Sequence, residues 1–241
     1  MIDIKNLTCT FSAKNILQNI NLNIQSHLCI LGANGSGKST LAKLVCGLIE
    51  QEGEVSIDDV NIKDLSLIQK AKLISYIPAK LEIYDSFISV GEFVLLGRFP
   101  YKKSFFEYSE KDKNIAQQTL EFLKISHLKE HALSSLSSGE QQLTLIAQAL
   151  AQESQVMLFD EPTANLDPHN TKIIAQYIKG LKEHHQVILI THDLHLASYF
   201  DAEVAFIKNK SVTLYTENFF NDATLSELYD VNFKSLVAQY D

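Results

Sequence analysis

The order of apolar and polar residues predicts strands of two kinds along this chain. Residues 2–8 and 16–24 alternate apolar with polar positions, which is typical of half-buried strands. Short runs that are apolar throughout are typical of strands buried on both faces. Further strands are predicted at residues 27–31, 53–59, 73–77, 156–160 and 187–191, and a closing hairpin at residues 202–208 and 212–216.

Apolar residues at helical spacing follow several of these strands. Leu41, Leu44, Val45 and Leu48 recur at intervals that place them on one helix face. No β-rich run appears from about residue 85 to residue 135, where helices are predicted at residues 90–96 and 109–123. The next helix opens at Ser137 or Ser138, and a short one is expected at residues 225–229. The apolar stripe of the helix that opens at Ser137 or Ser138 is predicted to consist of Leu143, Ile146, Ala147 and Leu150.

Length and charge narrow the class of protein. The chain has 241 residues, a net charge of −8 and no long basic run, so we expect a single domain that does not bind nucleic acid. No apolar stretch reaches the roughly 18 residues that a membrane span requires. Cys9, Cys29 and Cys46 are scattered without metal-ligand spacing, which favours small buried side chains in a reducing compartment. A cytoplasmic location follows as the expectation.

A glycine-rich turn lies between a predicted strand and a predicted helix. It reads Ile30-Leu31-Gly32-Ala33-Asn34-Gly35-Ser36-Gly37-Lys38-Ser39-Thr40 and fits the P-loop pattern G-x-x-x-x-G-K-[ST]. Glycines permit close approach of backbone N–H groups to phosphate, Lys38 can reach the β- and γ-phosphates, and the Ser39 hydroxyl can ligand Mg²⁺. The predicted ligands of ATP in this turn are Gly32, Asn34, Gly35, Ser36, Gly37, Lys38, Ser39 and Thr40.

Two later strands end in residues suited to phosphate chemistry. Asp160 and Glu161 follow the apolar run at residues 156–159, and in a parallel sheet that end points into the ligand crevice. Asp160 is predicted to hold Mg²⁺ together with Ser39, and Glu161 to act as the general base towards water. His192 follows the strand at residues 187–191, where it can donate a hydrogen bond to the γ-phosphate.

Two further features have simpler explanations when they are considered alone. Leu136-Ser137-Ser138-Gly139-Glu140-Gln141-Gln142 is typical of a capped helix start, and Phe11 is typical of a core or hairpin aromatic. The order of all these segments, however, resembles the ATP-binding cassette ATPases over essentially the whole chain. A P-loop is followed by a helical insertion, the Leu136 segment, Phe159-Asp160-Glu161-Pro162 and Thr191-His192-Asp193.

The resemblance implies a fold and a set of roles. The fold is an α/β P-loop NTPase core with a mostly parallel sheet, an N-terminal antiparallel β subdomain, and a helical subdomain inserted at about residues 85–150 of a single domain spanning 1–241. Residues 136–141 would be the family's signature motif, residues 164–167 its D-loop, and Phe11 the aromatic that stacks on adenine. In a head-to-tail homodimer, Ser137, Gly139, Glu140 and Asp167 would then contribute to ATP bound by the other subunit.

A finer resemblance is to the cassette subunits of importers for iron-siderophores, haem and cobalamin. It rests on Gly97-Arg98-Phe99-Pro100-Tyr101. It implies a permease dimer as the direct partner, a substrate-binding protein as an indirect one, and a peripheral position on the inner face of the membrane. The chain departs from the family twice. Ala79 replaces a glutamine that ligands Mg²⁺, and Ser138 replaces a glycine, which would be strained if φ were positive there.

Two alternatives to an importer subunit stay open. A soluble cassette ATPase acting in DNA repair or on the ribosome would have no permease, although neither long coiled coils nor a second cassette is present in this chain. An export or lipoprotein-release subunit would differ mainly in the Arg98 segment. The sequence does not name the transported substrate, because a nucleotide-binding subunit does not touch it.

Overall fold

The computed structural model describes residues 1–11, 14–50, 52–83, 85, 87–103 and 107–233, and places them around two sheets. The smaller sheet is antiparallel and contains β1 (Ile2–Phe11), β2 (Lys14–Ile24), β4 (Glu52–Ile57) and β5 (Val60–Asn61) in the order β2-β1-β4-β5. The alternation at residues 2–8 and 16–24 therefore corresponds to one antiparallel pair, with Ile2 opposite Ile24.

The larger sheet carries the P-loop strand near its centre. It contains β3 (Leu28–Gly32), β6 (Ile74–Ile77), β7 (Val156–Asp160), β8 (Gln186–Ile190), β9 (Glu203–Lys208) and β10 (Ser211–Tyr215), in the order β10-β9-β3-β8-β7-β6. All neighbouring pairs are parallel except β10 with β9. Every residue of β3 and β7 is buried, as expected for strands covered on both faces.

Helices cover both faces of this sheet. They are α1 (Lys38–Val45), α2 (Leu67–Leu73), α3 (Val90–Leu96), α4 (Glu110–Phe122), α5 (Ser138–Ala151), α6 (Pro168–Leu181), α7 (Leu194–Phe200) and α8 (Asp222–Tyr229). One apolar core packs α1 and the antiparallel sheet against one face of the larger sheet. A second apolar core packs the helices from α3 through α7 against the other face. In the described part of the chain, no helix is both long and apolar enough to cross a bilayer.

The α/β fold class is confirmed, and the span predicted as an inserted helical subdomain contains α3, α4 and α5. These three helices pack on one another, and short 3₁₀ turns connect them. Each begins with a capping box, at Ser89, Ser109 and Ser137, in which the serine hydroxyl accepts from the N3 backbone N–H. The division of the chain into subdomains remains a prediction.

Several details differ from the expectation. Helix α2 and the short strand β5 were not predicted, and the last residue of α2, Leu73, takes the place expected for the start of β6. Helix α1 ends at Val45, close to Gly47 with φ +62°, so Leu48 lies outside the helix and is exposed. In α5, Leu143 and Leu150 are only half-buried. Leu145 and Ala149 are buried together with Ile146 and Ala147, because α5 packs on both the sheet and neighbouring helices.

Candidate functional site

The P-loop backbone leaves N–H groups available at the start of α1. Gly37 caps α1 in the left-handed region, with φ +105°, and its missing side chain means that no side-chain hydrogen bond closes the helix N-terminus. Gly32 lies so near β9 that a Cβ would stand 2.6 Å from the Ile207 carbonyl oxygen. Gly35, with φ +76°, has open space around it. All three glycines are thus favoured by positive φ, Gly32 also by close contact, and the turn keeps an open face at Gly35.

Polar groups of the turn are arranged to receive an anion. The Lys38 ammonium donates to the carbonyl oxygens of Gly32 at 3.0 Å and Ala33 at 3.2 Å, and it lies 3.8 Å from Glu161 Oε1. Burial lowers the pKa of Lys38 below its ordinary value, and the Glu161 and Asp160 carboxylates offset this effect only in part. Among the residues that the structure describes, the buried Ser36 hydroxyl has no hydrogen-bond partner. An unpaired hydroxyl, free helix N–H groups and an ammonium together fit the phosphates of ATP.

Asp160 at the end of β7 is held by two hydroxyl groups. Ser39 Oγ donates to Asp160 Oδ1 at 2.9 Å, and the Tyr76 hydroxyl donates to Asp160 Oδ2 at 2.7 Å. Burial raises the pKa of Tyr76, and donation to Asp160 raises it further, so this hydroxyl stays a donor. A serine hydroxyl and a carboxylate are hard oxygen ligands of the kind Mg²⁺ prefers. Ser39 and Asp160 therefore fit Mg²⁺, directly or through water.

Glu161 and His192 are in direct contact at the ends of β7 and β8. His192 Nδ1 lies 2.8 Å from Glu161 Oε2, and the His192 backbone N–H donates to the same oxygen at 3.3 Å. An ionised Glu161 can only accept, so Nδ1 carries a proton in this contact, and Nε2 is a donor only when the ring is doubly protonated. Glu161 is mostly buried, whereas His192 is exposed. The two residues predicted to be catalytic are thus one hydrogen-bonded pair.

The Leu136 segment forms the N-terminus of α5. The Ser137 hydroxyl caps the helix and donates to Glu140 Oε2 at 2.6 Å, and this contact, with the Ser137 N–H, lowers the pKa of Glu140. Ser138 is the first helical residue and is not among the residues with positive φ, so the substitution of glycine causes no backbone strain there. Gly139 is buried, and a Cβ at this position would lie 2.6 Å from the Asn170 side chain.

Asp167, which is predicted to belong to the D-loop, caps α6. Its Oδ1 accepts the backbone N–H groups of His169 at 2.9 Å and Asn170 at 3.0 Å, which lowers its pKa. Asn170 Nδ2 also donates to Asp167 Oδ2. Since Asn170 packs on Gly139, it connects the start of α5 to the start of α6.

The structure brings some of the predicted site residues together and leaves others apart. Contacts join Lys38, Ser39, Asp160, Glu161 and His192. Among the hydrogen bonds and ion pairs of the described residues, none joins residues 136–140 to residues 32–40. Asn34 is exposed and Thr40 is half-buried, and both belong to the glycine-rich turn at residues 30–40, which we call the phosphate cradle. The side chain of Phe11 lies outside the described part, so its predicted stacking on adenine stays a prediction.

Sequence reasoning missed two residues of the site, Tyr76 and Asn170. Tyr76 pairs with Leu158 in the β6–β7 register, and Asp160 follows two residues later on the same face. Strand parity could have indicated this neighbour once the order of the strands was known. Asn170 had no signal, because its contact depends on how α5 and α6 pack.

Arg98 occupies the interior of the helical layer and not a surface. It is 2% exposed, and its guanidinium donates to Asp112 Oδ1 at 3.0 Å, Glu153 Oε2 at 2.7 Å and the Ala151 carbonyl oxygen at 2.7 Å. The Tyr101 ring lies 4.1 Å from its Cζ atom. The Gly97–Tyr101 segment therefore locks α3 to α4 and to the end of α5.

The fold and the site together define a P-loop nucleoside triphosphatase. A central parallel strand leads into the phosphate-binding turn, and a carboxylate pair follows the strand two positions away in the sheet. Comparison with known proteins narrows the class. Residues 17–164 match the model of the family described as ABC transporter.

Relatives and solved structures extend the match to nearly the whole chain. The "Probable iron chelatin transport ATP-binding protein" of Helicobacter pylori is 33% identical over 244 residues, covering 98% of this chain and 95% of the relative. A structure described as a metal-chelate type ABC transporter in an inward-facing conformation has a TM-score of 0.83 at 27% identity. The match covers 95% of this chain and 88% of the chain in that structure. The dimeric MJ0796 cassette bound to ADP and Pi has a TM-score of 0.80 at 28% identity. The match covers 90% of this chain and 98% of the MJ0796 chain.

The chain belongs to the ABC transporter family, and it is the family's ATP-hydrolysing cassette.

Proposed function

We propose that this cassette energises an importer for an iron chelate or a similar metal chelate. The observation that carries the proposal is the end-to-end similarity to the iron chelatin relative, supported by the metal-chelate type transporter structure. The chain would bind Mg²⁺-ATP, pair with a second copy of itself, and dock on a permease that receives its substrate from a binding protein. It would lie at the cytoplasmic face of the membrane.

The chemistry follows from the contacts of the strand ends. Lys38 would leave the carbonyl oxygens of Gly32 and Ala33 to bind the β- and γ-phosphates, which enter between Lys38 and Glu161. Water attacks the γ-phosphorus as its proton passes to the Glu161 carboxylate, and the bond to the ADP oxygen breaks. His192 orients Glu161 through its Nδ1–H, and in the doubly protonated form its Nε2–H could also donate to the γ-phosphate. Ser39 and Asp160 would hold Mg²⁺, which would supply positive charge to offset the negative charge of the phosphates.

Pairing of two copies would complete the site. Ser137 and Gly139 lie at the start of α5 and make no hydrogen bond or ion pair to the P-loop of their own chain within the described residues. A helix N-terminus attracts phosphate oxygens. A head-to-tail pair would place this N-terminus against ATP held by the partner's Lys38, as the dimeric state of the MJ0796 cassette suggests.

An exposed apolar surface supports a permease partner. Leu67 and Ile68 at the start of α2, and Phe99 in the 3₁₀ turn that contacts α2, are large apolar residues that stand exposed. Exposed large apolar side chains on two elements that contact each other are candidates for a surface covered by a protein partner. We name Leu67, Ile68 and Phe99 the docking surface.

Uptake of radiolabelled iron tests the substrate class. Cells lacking this chain should lose uptake of the iron chelate and regain it with the wild-type chain, but not with Glu161→Gln at equal abundance. Uptake of free manganese serves as the comparison. Unchanged iron-chelate uptake in cells lacking the chain would rule out the proposed substrate class.

Capture from native membranes tests the partner. The tagged wild-type chain should co-purify with a polytopic permease, and Phe99→Glu should lose the permease while retaining ATP binding. Val60→Glu, an exposed apolar position on the small sheet, is the matched control and should keep the permease. An eluate dominated by ribosomal or DNA-associated proteins would instead support the soluble ATPase alternative.

A further inference from the structure

Tyr76 is the described residue of β6 whose polar atom reaches Asp160. The strand ends at Ile77, and Pro78 and Ala79 follow. The methyl group of Ala79 offers no ligand atom and no hydrogen bond. The Ser75 hydroxyl instead contacts Ser154 and the Val156 carbonyl oxygen, at the opposite end of β7.

Strand register explains why tyrosine reaches this position. Tyr76 pairs with Leu158 in the parallel β6–β7 ladder, and both side chains belong to the core on the α1 side of the sheet. Asp160 lies two residues beyond Leu158 and so points to the same face. The step along the strand is about 7 Å, a gap that a long side chain closes when it leans along the strand. The hydroxyl then donates to Asp160 Oδ2 at 2.7 Å.

The two hydroxyl groups contact different oxygen atoms of the Asp160 carboxylate. Ser39 Oγ uses its proton on Oδ1 and keeps lone pairs for a cation, whereas Tyr76 binds Oδ2. Asp160 is 4% exposed, so little water replaces a lost partner. Without the Tyr76 hydroxyl, the carboxylate keeps one fixed oxygen and can rotate about its χ2 torsion.

We infer that Tyr76 is a positioning residue for the Mg²⁺ site, holding the Asp160 carboxylate in the orientation that the cation and its bound water require. The inference rests on the proposed assignment of Ser39 and Asp160 to Mg²⁺. Groups that orient a metal-binding carboxylate contribute roughly tenfold or more to metal affinity. The hydroxyl of Tyr76 therefore sets the cation affinity of the ATP complex while leaving the phosphate cradle unchanged.

The test measures cation and nucleotide binding separately in the full chain. In a Glu161→Gln background, which should slow turnover, Mn²⁺ binding to the ATP complex is followed by electron paramagnetic resonance, and ATP binding is measured in EDTA. Tyr76→Phe should weaken Mn²⁺ binding about tenfold and leave ATP affinity in EDTA within twofold of the parent. Tyr215→Phe, whose ring packs on Phe219 at the far sheet edge, is the matched control and should change neither.

Asp160→Asn separates failure of the inference from failure of the site assignment. If Asp160→Asn loses Mn²⁺ affinity and Tyr76→Phe does not, the assignment stands and the role of Tyr76 is refuted. If Asp160→Asn also binds Mn²⁺ normally, the assignment itself fails, and the inference with it. An equal loss of Mn²⁺ affinity and of ATP affinity in EDTA by Tyr76→Phe would show a structural role only and overturn the inference. Thermal unfolding of each variant confirms that it is folded.

Discussion

Glu161 shows at the scale of a single residue how backbone conformation serves the site. Its φ of +51° is in the left-handed region, which side chains other than glycine, asparagine and aspartate rarely adopt. Such a conformation costs about 1–3 kcal/mol and persists only where neighbours enforce it. Here the Glu161 N–H donates to Ile190 O at 2.9 Å, and its carbonyl accepts the Ala164 N–H at 3.0 Å. The strained turn directs the carboxylate between Lys38 and His192.

Glu161→Gln should lower steady-state ATP hydrolysis by about 10²–10⁴-fold, because the amide cannot accept the proton of the attacking water. ATP binding, measured by equilibrium titration, should be retained, since the phosphate contacts are unchanged. Glu217→Gln, an exposed glutamate after β10, is the control and should hydrolyse ATP at the wild-type rate. Equal rates for Glu161→Gln and wild type would remove Glu161 from the role of base.

At the scale of elements, close packing between helix starts explains one glycine. Gly139 in α5 faces the Asn170 side chain of α6, and Asn170 is held in turn by Asp167. The absence of a Cβ at Gly139 lets the starts of α5 and α6 approach each other.

Gly139→Ala should destabilise the fold by about 1–3 kcal/mol in chemical denaturation, because an overpacked contact outweighs the gain in helix propensity. In an Asn170→Ala background the same substitution should become neutral or stabilising. Gly180→Ala in α6, where a Cβ meets nothing within 4 Å, is the control and should stabilise by about 1 kcal/mol. An unchanged penalty in the Asn170→Ala background would contradict this packing explanation.

The Arg98 cluster connects three helices through buried charge. Arg98 and Asp112 are both nearly inaccessible, and loss of either partner leaves the other unpaired in the interior. Burial alone would raise the pKa of Asp112, but hydrogen bonds from Ser109 and Arg98 outweigh it, and the pKa falls below its ordinary value of 3.8.

A carboxyl group whose pKa is lowered in the folded state stabilises the fold at pH values above its unfolded-state pKa. This stabilisation is lost as the pH falls through the folded-state pKa. Wild type should therefore lose the Asp112 contribution below about pH 4. Asp112→Asn should be less stable at pH 7 and lose less stability on acidification, as measured by urea unfolding from pH 7 to pH 3. Asp64→Asn, at an exposed site, should keep the wild-type slope. Parallel curves for wild type and Asp112→Asn would refute the linkage.

At the scale of the whole molecule, the two halves of the proposed ATP site lie on different elements of one chain. The P-loop half is assembled by β3, α1, β7 and β8, and the signature half lies at the start of α5. A head-to-tail pair has two such composite sites, each dependent on both chains.

Mixing two inactive variants tests this arrangement. Lys38→Ala should disable phosphate binding, and Ser138→Glu places a carboxylate at the exposed start of α5, where it suits the helix dipole but should repel phosphate. Each variant alone should lack ATP hydrolysis, and an equimolar mixture should recover part of it, because the mixed pair contains one intact site. Lys38→Ala mixed with Glu161→Gln, both defective in the P-loop half, should recover none. Absence of recovery in the first mixture would contradict trans pairing.

The sequence by itself determined most of the strands and most of the helices, and it predicted the phosphate-binding chemistry. These follow from local rules: residue periodicity, glycine in a strand-to-helix turn, and carboxylates after an apolar run. Contacts between distant segments were decided only by the tertiary structure. Tyr76 on Asp160, Asn170 on Gly139 and Arg98 between three helices depend on strand order and helix packing. Local patterns encode which face a residue takes, whereas only the assembled fold determines what it meets there.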